Sequence, residues 1–143
     1  MTTTDRVAGK VAIITGGASG IGEGTAELLA HEGAAVAVVD VNAEGGRDVA
    51  RRINSHGGQA IFIKADVSKS AGVRRMVERT VKEFGRLDIL LNNAITLNLA
   101  TATKMDEADW DKTLAVGLKS VFLGAKYGIP AMRKTKDGGS IIN

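Results

Sequence analysis

Thr15-Gly16-Gly17-Ala18-Ser19-Gly20-Ile21-Gly22 is the stretch with the clearest chemical capacity. It lies between an apolar run, Lys10-Val11-Ala12-Ile13-Ile14, and a helical pattern from Gly20 to Glu32. A strand, a glycine-rich turn and a helix in that order make a phosphate site. The helix N-terminus offers unpaired N–H groups and a partial positive charge. Glycines let the backbone turn sharply and approach an anion with no Cβ between them. Such a turn alone is weak evidence, and two acidic residues raise its value. Asp40 ends the next apolar run, 18 residues after Gly22. A carboxylate there accepts hydrogen bonds from adenosine ribose hydroxyls and repels a 2′-phosphate; the alternative is an Asp that caps a strand end. Asp66 follows the third apolar run, where it can accept from an adenine amino group or act as a cap ahead of Ser68. No Arg or Lys lies within residues 16–22 or directly after Asp40, where Val41 and Asn42 stand. NAD is therefore expected over NADP. Asn92 and Asn93 either tie strand ends together or hold the nucleotide.

These positions need elements that bring them together. Residues 10–15 form a continuous apolar run, as in a strand buried on both faces. Ala35 to Val39, Gln59 to Lys64, Leu87 to Leu91 and Ser140 to Asn143 read as four further strands. Between them lie helical patterns: Gly20 to Glu32, ended by Gly33; one capped by Asn42 and running towards Gly57-Gly58; and one capped by Ser68, with Val73, Met76, Val77, Val81 and Phe84 on one face and Gly85 as its stop. Residues 95–104 read as loop. Asp106 to about Gly128 reads as one long helix with Trp110, Leu114, Leu118, Val121, Phe122 and Ala125 at helical spacing, Trp110 in the core and Pro130 at the end. Strict alternation of strand and helix predicts an α/β fold, a Rossmann-like doubly wound parallel sheet, incomplete at five strands, in a single dinucleotide-binding domain over residues 1–143. Ligands of such sheets sit beyond the carboxyl ends of the strands. That places Gly16–Gly22, Asp40, Asp66 and Asn92–Ala94 along one rim.

Composition narrows the class. The chain has 143 residues, 44% apolar and 24% charged, with no cysteine. Neither a disulfide framework nor a cysteine metal site is available, and no metal site is expected. Net charge is +3 and aromatics are 3%, so nothing argues for nucleic acid. The polar start, Met1 to Arg6, has no signal-peptide character. No apolar run approaches the ~20 residues that span a bilayer. A cytoplasmic protein with no membrane partner is expected. His31 and His56 stand at helix ends and suit surface roles. Met76, Met105 and Met132 suit contact-filling ones.

With these residues assembled, the chain resembles the short-chain dehydrogenase/reductase family over nearly all of residues 8–143. Thr15 to Gly22 matches the family's TGxxxGxG motif. Asp66-Val67 resembles its adenine-contact pair, and Asn92-Asn93-Ala94 most of its NNAG. Trp110 to Tyr127 resembles the helix before the fifth strand, and Gly139 to Asn143 the strand leading to the catalytic serine. The resemblance implies a nicotinamide-dependent oxidoreductase acting on a small-molecule secondary alcohol or ketone. By the same resemblance Ser19 and the backbone of Gly20, Ile21 and Gly22 hold the pyrophosphate and Asp40 the adenosine ribose, with Gly16 and Val41 also among the cofactor-binding residues. Asp66 and Val67 take the adenine, and Asn93 and Ala94 line the groove.

Three departures from the family stand out. The Tyr-x-x-x-Lys pair and the catalytic serine have no counterpart: Tyr127, the sole tyrosine, is followed four residues on by Ala131. The catalytic asparagine position holds Gly117, and Ile95 stands after Ala94 where the family has glycine, through a substitution or a one-residue deletion. No catalytic residue is therefore assigned, and NAD binding without turnover is expected of this chain. The alternatives are a non-catalytic NAD-binding or interaction module and a partial product without function. A fifth strand left as an open edge predicts a homo-oligomer or poor solubility.

Overall fold

The structure, a computed structural model, describes residues 5–143. Five strands form one parallel sheet: β1 (Val11–Thr15), β2 (Ala35–Asp40), β3 (Gln59–Lys64), β4 (Ile89–Leu91) and β5 (Ser140–Ile142). Their order is β3-β2-β1-β4-β5. The chain winds outward from β1 to β3 and then returns to place β4 on the other side of β1. The winding reverses between β1 and β4, and a doubly wound sheet opens its ligand groove at that point.

Helices cover both faces, as the right-handed crossover of parallel strands requires. α1 (Gly20–His31) and α2 (Ala43–Ser55) lie on one face; α3 (Ser70–Phe84), α4 (Glu107–Leu114) and α5 (Ser120–Met132) follow in the chain. The alternation of side chains along each strand divides the core in two. Ala12, Ile14, Val36 and Val38 pack with Ala26, Ala30, Val49 and Ile53 of α1 and α2. Ile13, Ala37, Val39 and Ile63 pack with Val73, Met76 and Val77 of α3 and with Leu123 and Met132 of α5. Both sides of β1 and β2 are therefore buried, which explains their unbroken apolar sequence.

Local signals set several boundaries as expected. The Asn42 side chain accepts from Gly45 N–H and caps α2. Gly33 and Gly85 adopt positive φ after α1 and α3. Residues 92–101 form no regular element. Ser68 does not cap α3. Its N–H and hydroxyl both donate to Asp66 Oδ1, at 2.9 and 2.6 Å, so its hydrogen bonds serve the turn, and the helix starts at Ser70.

The long helix differs more. It runs past Pro130 to Met132, and a π-turn over Ala115–Lys119 separates α4 from α5. Trp110 is not in the core: it is 54% exposed, and Leu114, Leu118 and Phe122 are exposed beside it. The buried face carries Ser120, Leu123, Gly124, Gly128 and Met132 instead. The small residues explain this choice. A Cβ at Gly124 would lie 2.8 Å from Asn92 Oδ1 and 3.1 Å from Leu90 Cδ2, so glycine lets the helix backbone sit against β4.

Candidate functional site

At the carboxyl end of β1 the chain enters the glycine turn. Gly16 has φ +67°, and a Cβ there would meet Ala94 Cα and Asn93 Nδ2 at 2.9 Å. Only glycine suits both the conformation and the space. Gly22, already in α1, is packed more tightly, 2.1 Å from Gly16 O at the Cβ position. Ser19 takes the N-cap position of α1, but its side chain makes no bond to the helix. Its hydroxyl and the first N–H groups of α1 thus stay available to an anion.

The turn is held from two sides. Asp40 accepts from Ala18 N–H through Oδ2 at 3.1 Å and from Asn42 N–H through Oδ1 at 2.9 Å. Its carboxylate therefore faces the turn. On the other side Asn93 Nδ2 donates to Thr15 O at 3.0 Å and Gly16 O at 3.3 Å. The buried Thr15 hydroxyl donates to Leu91 O and accepts from Asn93 and Ala94 N–H. Asn92 Nδ2 reaches Asn143 Oδ1 at 2.8 Å. Both asparagines thus join strand ends.

Nine of the eleven nucleotide positions named from the sequence line one groove of about 610 Å³: Gly16, Ser19, Ile21, Asp40, Val41, Asp66, Val67, Asn93 and Ala94. Gly20 and Gly22 do not line it; Gly22 instead lets α1 close on the turn. Asp66 stands at the far end of the groove. The Ser68 hydroxyl holds its carboxyl below the usual carboxylate range; burial opposes this, and the Ser68 N–H and the charges of Lys69 and Lys112 assist. Sequence reasoning missed Thr96, Lys112 and Val116, which also line the groove. The i, i+4 spacing of Lys112 and Val116 was the available signal, since it puts both on one helix face. A larger cleft of about 820 Å³ between α1 and α2 lies towards the amino ends of β2 and β3, away from the carboxyl ends of the strands, and holds none of these residues.

The departures also have places. Ile95 lines the groove and is 68% exposed. Gly117 sits in the π-turn, and a Cβ there would meet nothing within 4 Å. Packing does not demand glycine at that position. Tyr127 is far from the role of a proton donor: its hydroxyl hydrogen-bonds Ser70 Oγ at 2.6 Å, joining α5 to α3, and it does not line the groove. His31 and His56 are exposed, with His56 Nδ1 2.8 Å from Arg52 O. Met76 and Met132 are buried. Among the described residues no cluster of His, Asp and Glu could hold a metal ion, and no helix is long and apolar enough to cross a membrane.

The short chain dehydrogenase profile matches residues 10–143. This chain belongs to the short-chain dehydrogenase family. An uncharacterized oxidoreductase of Thermotoga maritima is 45% identical over 135 residues, 94% of this chain and 53% of that protein. A 2,5-dichloro-2,5-cyclohexadiene-1,4-diol dehydrogenase of Sphingobium indicum is 40% identical, covering 97% of this chain and 55% of its own length. A D-threitol dehydrogenase of Mycolicibacterium smegmatis is 40% identical, covering 96% and 53%. The chain spans about half the length of these curated relatives.

Proposed function

We propose that the groove binds NAD and that the protein carries out hydride transfer between NAD and a secondary alcohol or ketone. The observation that carries this reading is the Asp40 carboxylate, fixed by Ala18 and Asn42 N–H beside an uncapped α1 N-terminus. The cofactor fits the residues present. Gly16, Ser19, Gly20, Ile21 and Gly22 offer the pyrophosphate a Cβ-free turn and a helix N-terminus. Asp40 and Val41 face the adenosine ribose. Asp66 and Val67 form the end suited to adenine, with Asn93 and Ala94 as the wall. NAD, when bound, supplies the hydride acceptor. The chain's residues bind and orient it, and the side chain at Asp40 disfavours a 2′-phosphate through like charge. Two relatives are named for alcohol substrates, a chlorinated cyclohexadienediol and D-threitol, which supports an alcohol/ketone substrate class here.

Calorimetric titration tests the cofactor. NAD is expected to bind residues 1–143 more tightly than NADP. Asp40→Ala is expected to erase that preference, shifting the ratio of the two affinities by about tenfold. Equal affinities in the unsubstituted chain would contradict the role given to Asp40.

A second reading, a non-catalytic NAD-binding or interaction module, is favoured by Gly117 and by the Tyr127–Ser70 bond, which holds the tyrosine hydroxyl away from the groove. Within residues 1–143 alone, binding without turnover is the outcome we propose. A Ser and a Tyr-x-x-x-Lys encoded in frame after Asn143 would decide for the enzyme. Neither reading involves a membrane or nucleic acid, and both suit the cytoplasm.

We also propose a homo-oligomer. Trp110, Leu114, Leu118 and Phe122 make an exposed apolar stripe along α4, the π-turn and α5. Glu107, Asp109 and Asp111 lie at one end of it and Lys119 and Lys126 at the other. An antiparallel, two-fold pairing of this helix covers the stripe and sets acidic against basic ends. Leu118→Glu with Phe122→Glu is expected to convert the assembly to monomer in light scattering. A wild-type monomer at micromolar concentration would overturn the proposal.

A further inference from the structure

β3 is an outer strand: β2 pairs with one side of it, and among the described residues no strand pairs with the other. Just past β3 the Ala65 N–H donates to Asp40 O on the β2 side, at 3.1 Å. The direction of backbone hydrogen bonding alternates along a strand of a parallel pair, so Ala60, Phe62 and Lys64 turn their N–H and C=O groups outward. The run Ala60-Ile61-Phe62-Ile63 is uncharged, free of proline and suited to strand formation. A bare edge of that composition is a template for pairing with another chain.

Two side chains occupy this edge. Asn54, in the last turn of α2, donates through Nδ2 to Ala60 O at 2.9 Å and accepts from Ala60 N–H through Oδ1 at 2.8 Å. One amide thus takes both backbone groups that a neighbouring strand would take. Arg75 of α3 donates through Nη2 to Lys64 O. The two come from helices on opposite faces of the sheet and close the edge at both ends, with Phe62 between them.

We infer that Asn54 and Arg75 close the outer edge of β3 against the β3 of a second copy. The pairing they prevent is antiparallel and two-fold about Phe62. Phe62 meets its own counterpart, and Ala60 of each copy meets Lys64 of the other, each pair exchanging two hydrogen bonds. Asn54 and Arg75 hold the very groups of Ala60 and Lys64 that this pairing uses. The edge is distinct from the nucleotide groove and from the apolar stripe of α4 and α5, and the inference depends on neither.

The test compares wild type with Asn54→Ala, Arg75→Ala and the double variant, by light scattering over a concentration series and by infrared spectroscopy. Both residues are exposed, so the variants are expected to fold and to melt close to wild type. The double variant is expected to double the mass of wild type at high concentration, whatever the wild-type assembly, and Asn54→Ala alone to shift it the same way. All strand pairs of the described sheet are parallel, so an antiparallel infrared signature in the double variant reports the new pairing. Adding Lys64→Pro removes an outward N–H, which an outer strand tolerates, and should return the mass to that of wild type. Val77→Ala, a cavity in the core away from the edge, controls for lost stability and should keep the wild-type mass. Wild-type mass in both the double variant and Asn54→Ala overturns the inference. So does association that Lys64→Pro leaves unchanged, or that Val77→Ala reproduces.

Discussion

Gly22→Val is expected to destabilise the chain by roughly 3 kcal/mol or more and to abolish NAD binding. The Cβ position of Gly22 is 2.1 Å from Gly16 O and 2.8 Å from Gly16 C. Those atoms are backbone, so no rotamer change makes room. Asn93 Nδ2, 2.7 Å away, cannot yield without leaving Thr15 O and Gly16 O. α1 must therefore move off the end of β1, and with it goes the N-terminus that faces the groove. At about 4 °C per kcal/mol for a chain of this size, the melting temperature falls by roughly 12 °C. Gly24→Ala is the control. Nothing lies within 4 Å of its Cβ position, and replacing glycine inside a helix stabilises by about 1 kcal/mol. Thermal denaturation followed by circular dichroism, with NAD titration on the same samples, reads both effects. A Gly22→Val chain that melts with the wild type would mean that close packing of α1 on the turn does not hold the site together.

The sequence already contained the reasons for much of this arrangement. The turn at Gly16, the alternation of strands with helices and Asp40 at the end of β2 are local patterns, and local patterns survive reading one residue at a time. Which strands are neighbours is a long-range matter. No local pattern in the sequence places β4 beside β1; the structure does.

The long helix shows where a local reading fails. Trp110, Leu114, Leu118 and Phe122 share a face at helical spacing, but so do Val116, Ser120, Leu123 and Tyr127. Hydrophobicity ranks the first set higher, yet the second meets the sheet. The deciding residues are the small ones. Gly124 and Gly128 let the backbone approach Leu90, and a bulky stripe cannot come as close. Asn92 and Asn93 show a related limit. Their residue types fit both tying strands and holding a nucleotide, and only the hydrogen bonds to Thr15, Gly16 and Asn143 show the ties.

Asp88 drew no attention as a sequence feature, yet its loss is expected to have the second-largest effect. It is 4% exposed and sits just before β4, at the end of the sheet opposite the groove. Oδ2 accepts from Val11 N–H at 2.9 Å and from Arg86 Nε at 2.8 Å; Oδ1 accepts from Arg86 Nη2 at 2.6 Å. Its own backbone joins Val11 O and Ser140 N–H, at 2.9 and 2.8 Å. One residue thus links β1, β4 and β5. Asp88→Ala leaves Val11 N–H buried without a partner and Arg86 with only the more distant Asp137 carboxylate, at a cost of about 3 kcal/mol. Asp88→Asn keeps an acceptor for Val11 and should cost about half as much. Acidity separates the two contributions. Burial pushes the Asp88 carboxyl up, but the hydrogen bonds from Arg86 and Val11 outweigh it and hold the group below its usual range. With the folded value lowered, the unfolded chain binds the proton more readily between the two values. The contribution is therefore complete above the unfolded value of about 3.9 and is lost as pH falls through the folded one. Urea midpoints should drop more steeply below pH 4 for wild type than for Asp88→Asn, so the two curves converge on acidification. Curves that stay parallel would show that the carboxylate charge adds nothing to the hydrogen bond with Val11.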